Sequence, residues 1–536
     1  MDGVSKQRCN GAAGGRRRAP FRPGLGWLAI VLGLFVAGPV VAQGAATNTT
    51  ATLIYYDAVG NETLDPAETQ SQSSFSQEVF LALFDTLVRL DAAGNPKPGL
   101  AESWRIGDGL TTLTLSLRRG VRFHDGAELT AEVVKRNMER IIALGTRTSG
   151  TMVEAFRSVA TIEILGAHEL KLMLKNPNGQ MLYHFGSIAG MVASPASLTE
   201  GAYGANFKPI GTGPYRLKSF ESNVRTVLSR NDDYWAGPQG RPAGFEHHYV
   251  PDGRARLNAL RSGQANIALI EPRQIAEAKG AGLQVQINEK NSVWDIYVNL
   301  SRPQLGNLKF RQAMMHAIDR QALAEALSFG SGTPTVQFFA RSSPVYDPAL
   351  ENRYPYDPAK ARALLAEAGF KDGAEVAHLL LNTTEYRTLA EALQAMLAEV
   401  GIKLKFDVVD ASQFVVFRRP PTRADILMAR WGGRPDPLQV FQELVSTGGS
   451  FNPVSVATPE IDQLIEKARG MVPDDPERLK LLRAIAKVSV EFVANIPLMS
   501  RSNVYAYRPG CISGLDPYLP QGDDRFNDVK MAPGCK

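Results

Sequence analysis

Between Val376 and Val409 the chain reads strand, helix, strand. Val376–Leu381 is apolar and extended, Leu389–Val400 has helical spacing, Gly401 ends the helix, and Ile402–Val409 is extended again. Strands that alternate with helices argue for an α/β layer, and the neighbouring segments repeat the alternation. Ser292–Leu300 is strand-like and Phe310–Leu327 reads as one helix; Asp357-Pro358 caps another, whose Ala361, Leu364, Leu365 and Ala368 share a face before Gly369 stops it. Pro473–Ala494 is helical, and Ile496-Pro497-Leu498 returns to extended structure. Before about residue 265 strands dominate: Thr52–Tyr56, the alternating Leu113, Leu115 and Leu117, then Ile162–Leu174, Gly213–Ser219 and Val224–Arg230. Helices are expected over Ser76–Leu90 and after Thr130, an N-cap for Val133, Val134 and Met138. A chain of 536 residues is too long for one hydrophobic core, so two or more lobes are expected.

Residues 1–42 differ from the rest. Lys6, Arg8, Arg16, Arg17, Arg18 and Arg22 precede an apolar run from Leu25 to Val36, and Gly38-Pro39-Val40-Val41-Ala42 closes it. This order reads as a secretory signal peptide cut after Ala42, leaving a soluble protein in the periplasm; a membrane-anchoring helix is the competing reading. The leader changes the charge argument. The whole chain has 59 Lys and Arg against 54 Asp and Glu, but those six cations and Asp2 lie in 1–42, so the remainder is formally neutral. No general polyanion-binding charge is left to suggest nucleic acid. Two cysteines remain after the leader, Cys511 and Cys535, and an even pair in an oxidising compartment is expected to form one disulfide.

Motifs that carry chemistry are scarce. The seven histidines form no metal-ligand spacing, and adjacent His247 and His248 would point to opposite faces of a strand. No Gly-x-Ser-x-Gly elbow is present. Gly211-Thr212-Gly213 is followed by Pro214, which lacks the backbone donor a phosphate cradle uses, so a tight turn is expected there. No cofactor and no metal site is expected, and binding is a simpler reading than catalysis.

Ordered segments sharpen that reading. Leu64-Asp65-Pro66, Phe84-Asp85-Thr86-Leu87-Val88, Pro98-Gly99-Leu100-Ala101-Glu102-Ser103-Trp104 and Leu117 through Gly126 are followed by Gly211-Thr212-Gly213-Pro214-Tyr215 and Asn231 to Trp235. Arg311-Gln312-Ala313, Ala317-Ile318-Asp319-Arg320 and Tyr356-Asp357-Pro358 to Gly369-Phe370 complete the series. Together they resemble the family 5 extracellular solute-binding proteins, the dipeptide- and oligopeptide-binding components of ABC importers. The resemblance implies a bilobal α/β periplasmic-binding-protein fold with an extra subdomain in the first lobe. The expected segments are 43–82 and 187–268 for the first lobe, 83–186 for the extra subdomain, 269–497 for the second lobe, and 498–536 returning to the first. It also implies a monomeric, non-catalytic receptor that closes around a ligand and delivers it to membrane permease subunits.

The segment Trp431-Gly432-Gly433-Arg434-Pro435-Asp436-Pro437 bears on the ligand. In peptide-binding relatives an aspartate three residues after the matching tryptophan pairs with the ligand's ammonium group; here that position is Arg434. Three readings stay open: Arg434 anchors an anionic group, Asp436 takes over as the amine anchor, or Arg434 faces solvent. Asp436 also fits an N-cap, because Pro437 and the spacing of Leu438, Phe441, Leu444 and Val445 follow it. Trp431 suits a cleft wall or the core. Gln70, Ser71, Gln72 and Trp294 are further cleft candidates by position. The leading ligand class is a short peptide or peptide-like compound; an opine, sugar phosphate, oligosaccharide or metal complex is the alternative, and a periplasmic hydrolase is the competing class.

Overall fold

A ten-stranded sheet organises the molecule. In sheet order its strands are Ile402–Val409, Ala374–Leu381, Ile426–Gly432, Gln284–Val298, Asn495–Tyr507, Ile267–Leu269, Thr52–Asp57, Gly244–Tyr249, Arg225–Arg230 and Tyr215–Glu221. The computed structural model describes residues 47–68, 77–91, 94–107, 109–148, 150–237, 239–410, 413–414, 424–434, 436–449, 458–515 and 526–535. The leader and its expected cut after Ala42 lie outside these residues.

Ala374–Leu381 and Ile402–Val409 pair in parallel, and the Thr384–Ala398 helix makes the crossover that a parallel pair requires. Thr52–Asp57 pairs in parallel with both of its neighbours. Parallel pairs therefore occur in both halves of the sheet, and Gly244–Tyr249, Arg225–Arg230 and Tyr215–Glu221 close one edge antiparallel. Two long strands, Gln284–Val298 and Asn495–Tyr507, join those halves. Residues 284–289 pair with 502–507 beside Ile267–Leu269, whereas 293–297 pair with 495–500 beside Ile426–Gly432, and a register shift separates the two stretches.

Buried side chains divide accordingly into two lobes. The first core draws on Leu53 to Ile267 and again on Tyr505 to Cys535, with a smaller cluster of Leu257 to Leu283, Val504 and Ala506 beside it; the second lobe's two cores draw on Val293 to Met499. Alternation along the crossing strand sorts the second pair: Trp294, Ile296 and Val298 enter one core, Val293 and Tyr297 the other. A separate antiparallel sheet of Ala101–Gly107, Thr112–Leu117, Glu169–Leu174 and Val159–Gly166 is attached to the first lobe, flanked by the Ala131–Leu144 helix that Thr130 caps.

Two helices depart from the sequence expectation. The helix expected over Ser76–Leu90 spans Gln77–Leu83, and Val88–Leu90 is a strand. Its end is set by tertiary partners: the Gly213 amide donates to the Leu83 carbonyl at 3.0 Å, and Asp85 accepts from Thr212, Tyr234, Trp235 and Arg89. A Cβ on Gly213 would lie 2.5 Å from the Ala82 carbonyl oxygen, so the Gly-Thr-Gly turn exists for close approach to this helix. The helix expected over Phe310–Leu327 is two, Leu308–Ala317 and Arg320–Ser328, because the Asp319 side chain caps a new start.

Cys511 and Cys535 form a disulfide with a Cα separation of 5.6 Å, joining the ends of the short Ile512–Ser513 and Lys530–Met531 ribbon. Among the described residues no helix is long and apolar enough to cross a membrane.

Candidate functional site

The strand Ile426–Gly432 places Arg430 and Trp431 on opposite faces. Trp431 is 1% exposed and packs in the core with Leu438 and Phe441. Arg434 lies over its ring, with the guanidinium carbon 4.5 Å from the centroid. The same guanidinium grips Glu443 with two contacts, Nε to Oε1 at 3.1 Å and Nη2 to Oε2 at 2.8 Å, and also donates to the Gly432 carbonyl. Arg434 thus faces the next helix rather than open solvent.

Asp436 caps that helix, Pro437–Leu444, by accepting from the Leu438 amide at 3.0 Å. Both its oxygens also accept from Arg478 Nη2, at 2.8 and 2.7 Å, in a setting closed to solvent. Asp436 further accepts from Gln180 Nε2 at 2.8 Å. Gln180 belongs to the segment entering the Met181–Phe185 helix, whose side chains pack in the first core, so this bond joins the lobes. Around it, Gln180 donates to Gln442 at 3.1 Å, Gln439 Nε2 lies 3.3 Å from His184 Nδ1, and Arg478 sits 5.8 Å from the Tyr183 ring centre. Burial pushes His184 down to about 4, against a smaller upward pull from Asp436, so the imidazole is neutral in this contact.

Trp294 organises a second group, beside the crossing strands. Its register partners are Arg430 on one side and Met499 on the other. Arg501 follows Met499 by two positions and shares the face. The Arg430 and Arg501 guanidinium carbons lie 6.0 and 5.8 Å from the Trp294 ring centre, and Tyr386 meets the indole edge-on at 5.0 Å. Arg430 pairs with Glu385 at 3.3 Å; Arg501 donates to Ser292 Oγ at 3.5 Å.

The structure therefore brings Trp431, Arg434 and Asp436 into one neighbourhood and puts Trp294 in another; Gln70, Ser71 and Gln72 lie outside the described residues. Sequence reasoning missed Arg430, Arg501, Arg478 and Gln180. Alternation from Trp431 could have placed Arg430, but nothing local marks the others. Neighbouring His247 and His248 have separate partners, Asp57 at 3.1 Å and Glu246 at 2.9 Å, and among the described residues no cluster suits a metal. A recess lined by Met315, Val336, Phe338, Phe441, Asn495 and Pro497 has about 20 Å³ of water-accessible space, room for roughly one water.

Known proteins share this architecture. Residues 95–452 match the family described as bacterial extracellular solute-binding proteins, family 5 Middle. The glutathione-binding protein GsiB of Salmonella choleraesuis (strain SC-B67) is 31% identical over 368 residues, 66% of this chain and 69% of that protein. Among solved structures, NikA from Brucella suis in complex with Fe(III)-EDTA has a TM-score of 0.79 at 23% identity, covering 90% of this chain and 99% of that one, a likeness of fold. The binding protein AgaA from A. tumefaciens R10 in complex with agropinic acid has a TM-score of 0.73 at 25% identity, with the same coverage.

Proposed function

We propose, since this chain belongs to the bacterial extracellular solute-binding proteins of family 5, that it is the exported receptor of an ABC importer and encloses a short peptide or peptide-like solute between its lobes. The observation that carries the reading is the pair of crossing strands: two cores are joined through Gln284–Val298 and Asn495–Tyr507, with a register shift where they cross. Such a join lets lobes move as bodies while the strands bend. The Gln180–Asp436 bond then belongs to the closed state, and a ligand touching both lobes favours that state over the open one. Membrane permease subunits are the partner that reads closure.

The ligand class follows the GsiB likeness, which favours a peptide-like solute. The AgaA likeness favours a second reading, the same role for an acidic non-peptide such as an opine. Neither reading needs catalysis. Isothermal titration with reduced glutathione, di- and tripeptides and opines tests both, and heat of binding from one class selects it. Silence from every class would remove the receptor reading for these solutes. The leader is taken to end after Ala42 and the protein to work in the periplasm, which N-terminal sequencing of the exported form checks.

A further inference from the structure

Among the described residues, six other buried or half-buried arginines are ion-paired or donate to two or more backbone carbonyls, and Arg501 does neither. Arg434, Arg478 and Arg140 face Glu443, Asp436 and Asp65 at 2.6 to 2.8 Å. Arg311 donates to the carbonyls of Leu305, Gly306, Phe492 and Val493, and Arg256 to those of Val250, Pro251 and Leu269. Arg320 uses the Met315 and Pro497 carbonyls. Among the described residues the half-buried Arg501 has one acceptor, Ser292 Oγ at 3.5 Å, the outer limit of a hydrogen bond. Among the described residues no carboxylate lies within ion-pair range of it, and its charged neighbour over Trp294 is a second guanidinium, Arg430.

We propose that Arg430 and Arg501 form a carboxylate subsite with Trp294 as its wall, so that the solute carries a carboxylate group; this rests on the receptor reading above. The register places both forks on one face of the sheet, flanking one indole. A carboxylate between them accepts hydrogen bonds from planar donors, and the indole, itself 5% exposed, holds the two forks in place. Burial, then Arg430, lowers Arg501 to about 10, against a smaller upward pull from Glu385, the carboxylate paired with Arg430. Arg430 is exposed, so the pair opens to solvent. Arg501 sits at the register shift of the crossing strands, between the Val293–Ser500 and Glu289–Ser502 pairs. An anion bound there would contact the segment that bends when the lobes move.

The test has two arms. Thermal unfolding is followed with and without malonate or inorganic phosphate in the wild type, Arg501→Gln and Arg501→Lys. Malonate is expected to raise the wild-type midpoint more than phosphate does, to have no effect on Arg501→Gln, and to have a reduced effect on Arg501→Lys, which keeps the charge without the fork. An equal malonate shift in all three proteins, no shift in any, or a larger shift with phosphate overturns the carboxylate subsite. In the second arm a dipeptide and its C-terminal amide are titrated calorimetrically into the wild type and Arg501→Gln. The substitution is expected to weaken the free acid by about tenfold or more and leave the amide unchanged, from the loss of charge-assisted bonds. Dipeptide binding that ignores Arg501 refutes the subsite and leaves the receptor reading standing. An Arg501-dependent malonate shift without dipeptide binding does the reverse for the peptide class.

Discussion

Arg434 and Glu443 are each about 15% exposed, and the guanidinium lies between this carboxylate and the Trp431 ring. Arg434→Asp sets a carboxylate against Glu443 and uncovers the indole. It is expected to lower the unfolding free energy by about 3 kcal/mol, read as a lower urea midpoint at constant slope. Lost ligand binding with an unchanged midpoint would contradict this and return Arg434 to the ligand. Three other buried residues contribute to the pH profile. Burial holds His184 and His378 neutral, both pushed down to about 4. Unfolded, each takes a proton below about 6.5, so their share of stability is complete above that pH and is lost as the pH falls toward 4. Asp295 runs the other way: burial lifts its carboxyl to about 8 despite the Asn495 hydrogen bond. Its share is complete below about 3.8 and is lost as the pH rises toward 8. Two histidines against one aspartate put the stability maximum from these groups near pH 6.5. Asp295→Asn is expected to flatten the alkaline side, and urea midpoints at acidic, neutral and mildly alkaline pH check it; an unchanged slope above the maximum would refute the assignment.

Among elements, the contact between the Met181–Phe185 and Pro437–Leu444 helices is the one that tests the proposed closure. Gln180→Ala removes two side-chain bonds between lobes and leaves the Asp436–Arg478 pair within its own lobe. At about 1 kcal/mol net, that weakens ligand affinity by roughly fivefold and raises the radius of gyration of the liganded protein in solution scattering. Unaltered affinity and scattering would mean that the bond does not belong to the closed state. The elements also mark where sequence reading reaches. Ile402–Val409 was legible residue for residue, and so were the Thr130, Asp357 and Asp436 caps, because periodicity and caps are local. The split at Asp319 was obscured because apolar spacing continues across it. Arg478 lies 42 residues from Asp436, and Gln180 lies 256, so neither partner leaves a trace in the local pattern. Arg501 was hidden for the same reason: only the sheet register sets it beside Trp294.

At the scale of the whole molecule, the first lobe is closed covalently as well as by its core. The Cys511–Cys535 bond spans a sequence separation of 24 residues, and a loop of that size contributes about 3 kcal/mol through the unfolded chain. Replacing both cysteines by serine is expected to lower stability by that order, with the reducing agent dithiothreitol lowering only the wild-type midpoint. Equal midpoints for the two proteins under oxidising conditions would show that the ribbon contributes nothing. The bond's position has another consequence. Asn48 donates from its side chain to the Cys535 carbonyl at 3.0 Å and from its amide to Met531 at 2.7 Å, so the first and last described stretches of the chain meet. The path is nearly a ring. A fluorophore pair placed at Asn48 and beside Cys535 would therefore be blind to lobe motion, whereas a short linker across that gap would allow new ends to be opened in the second lobe.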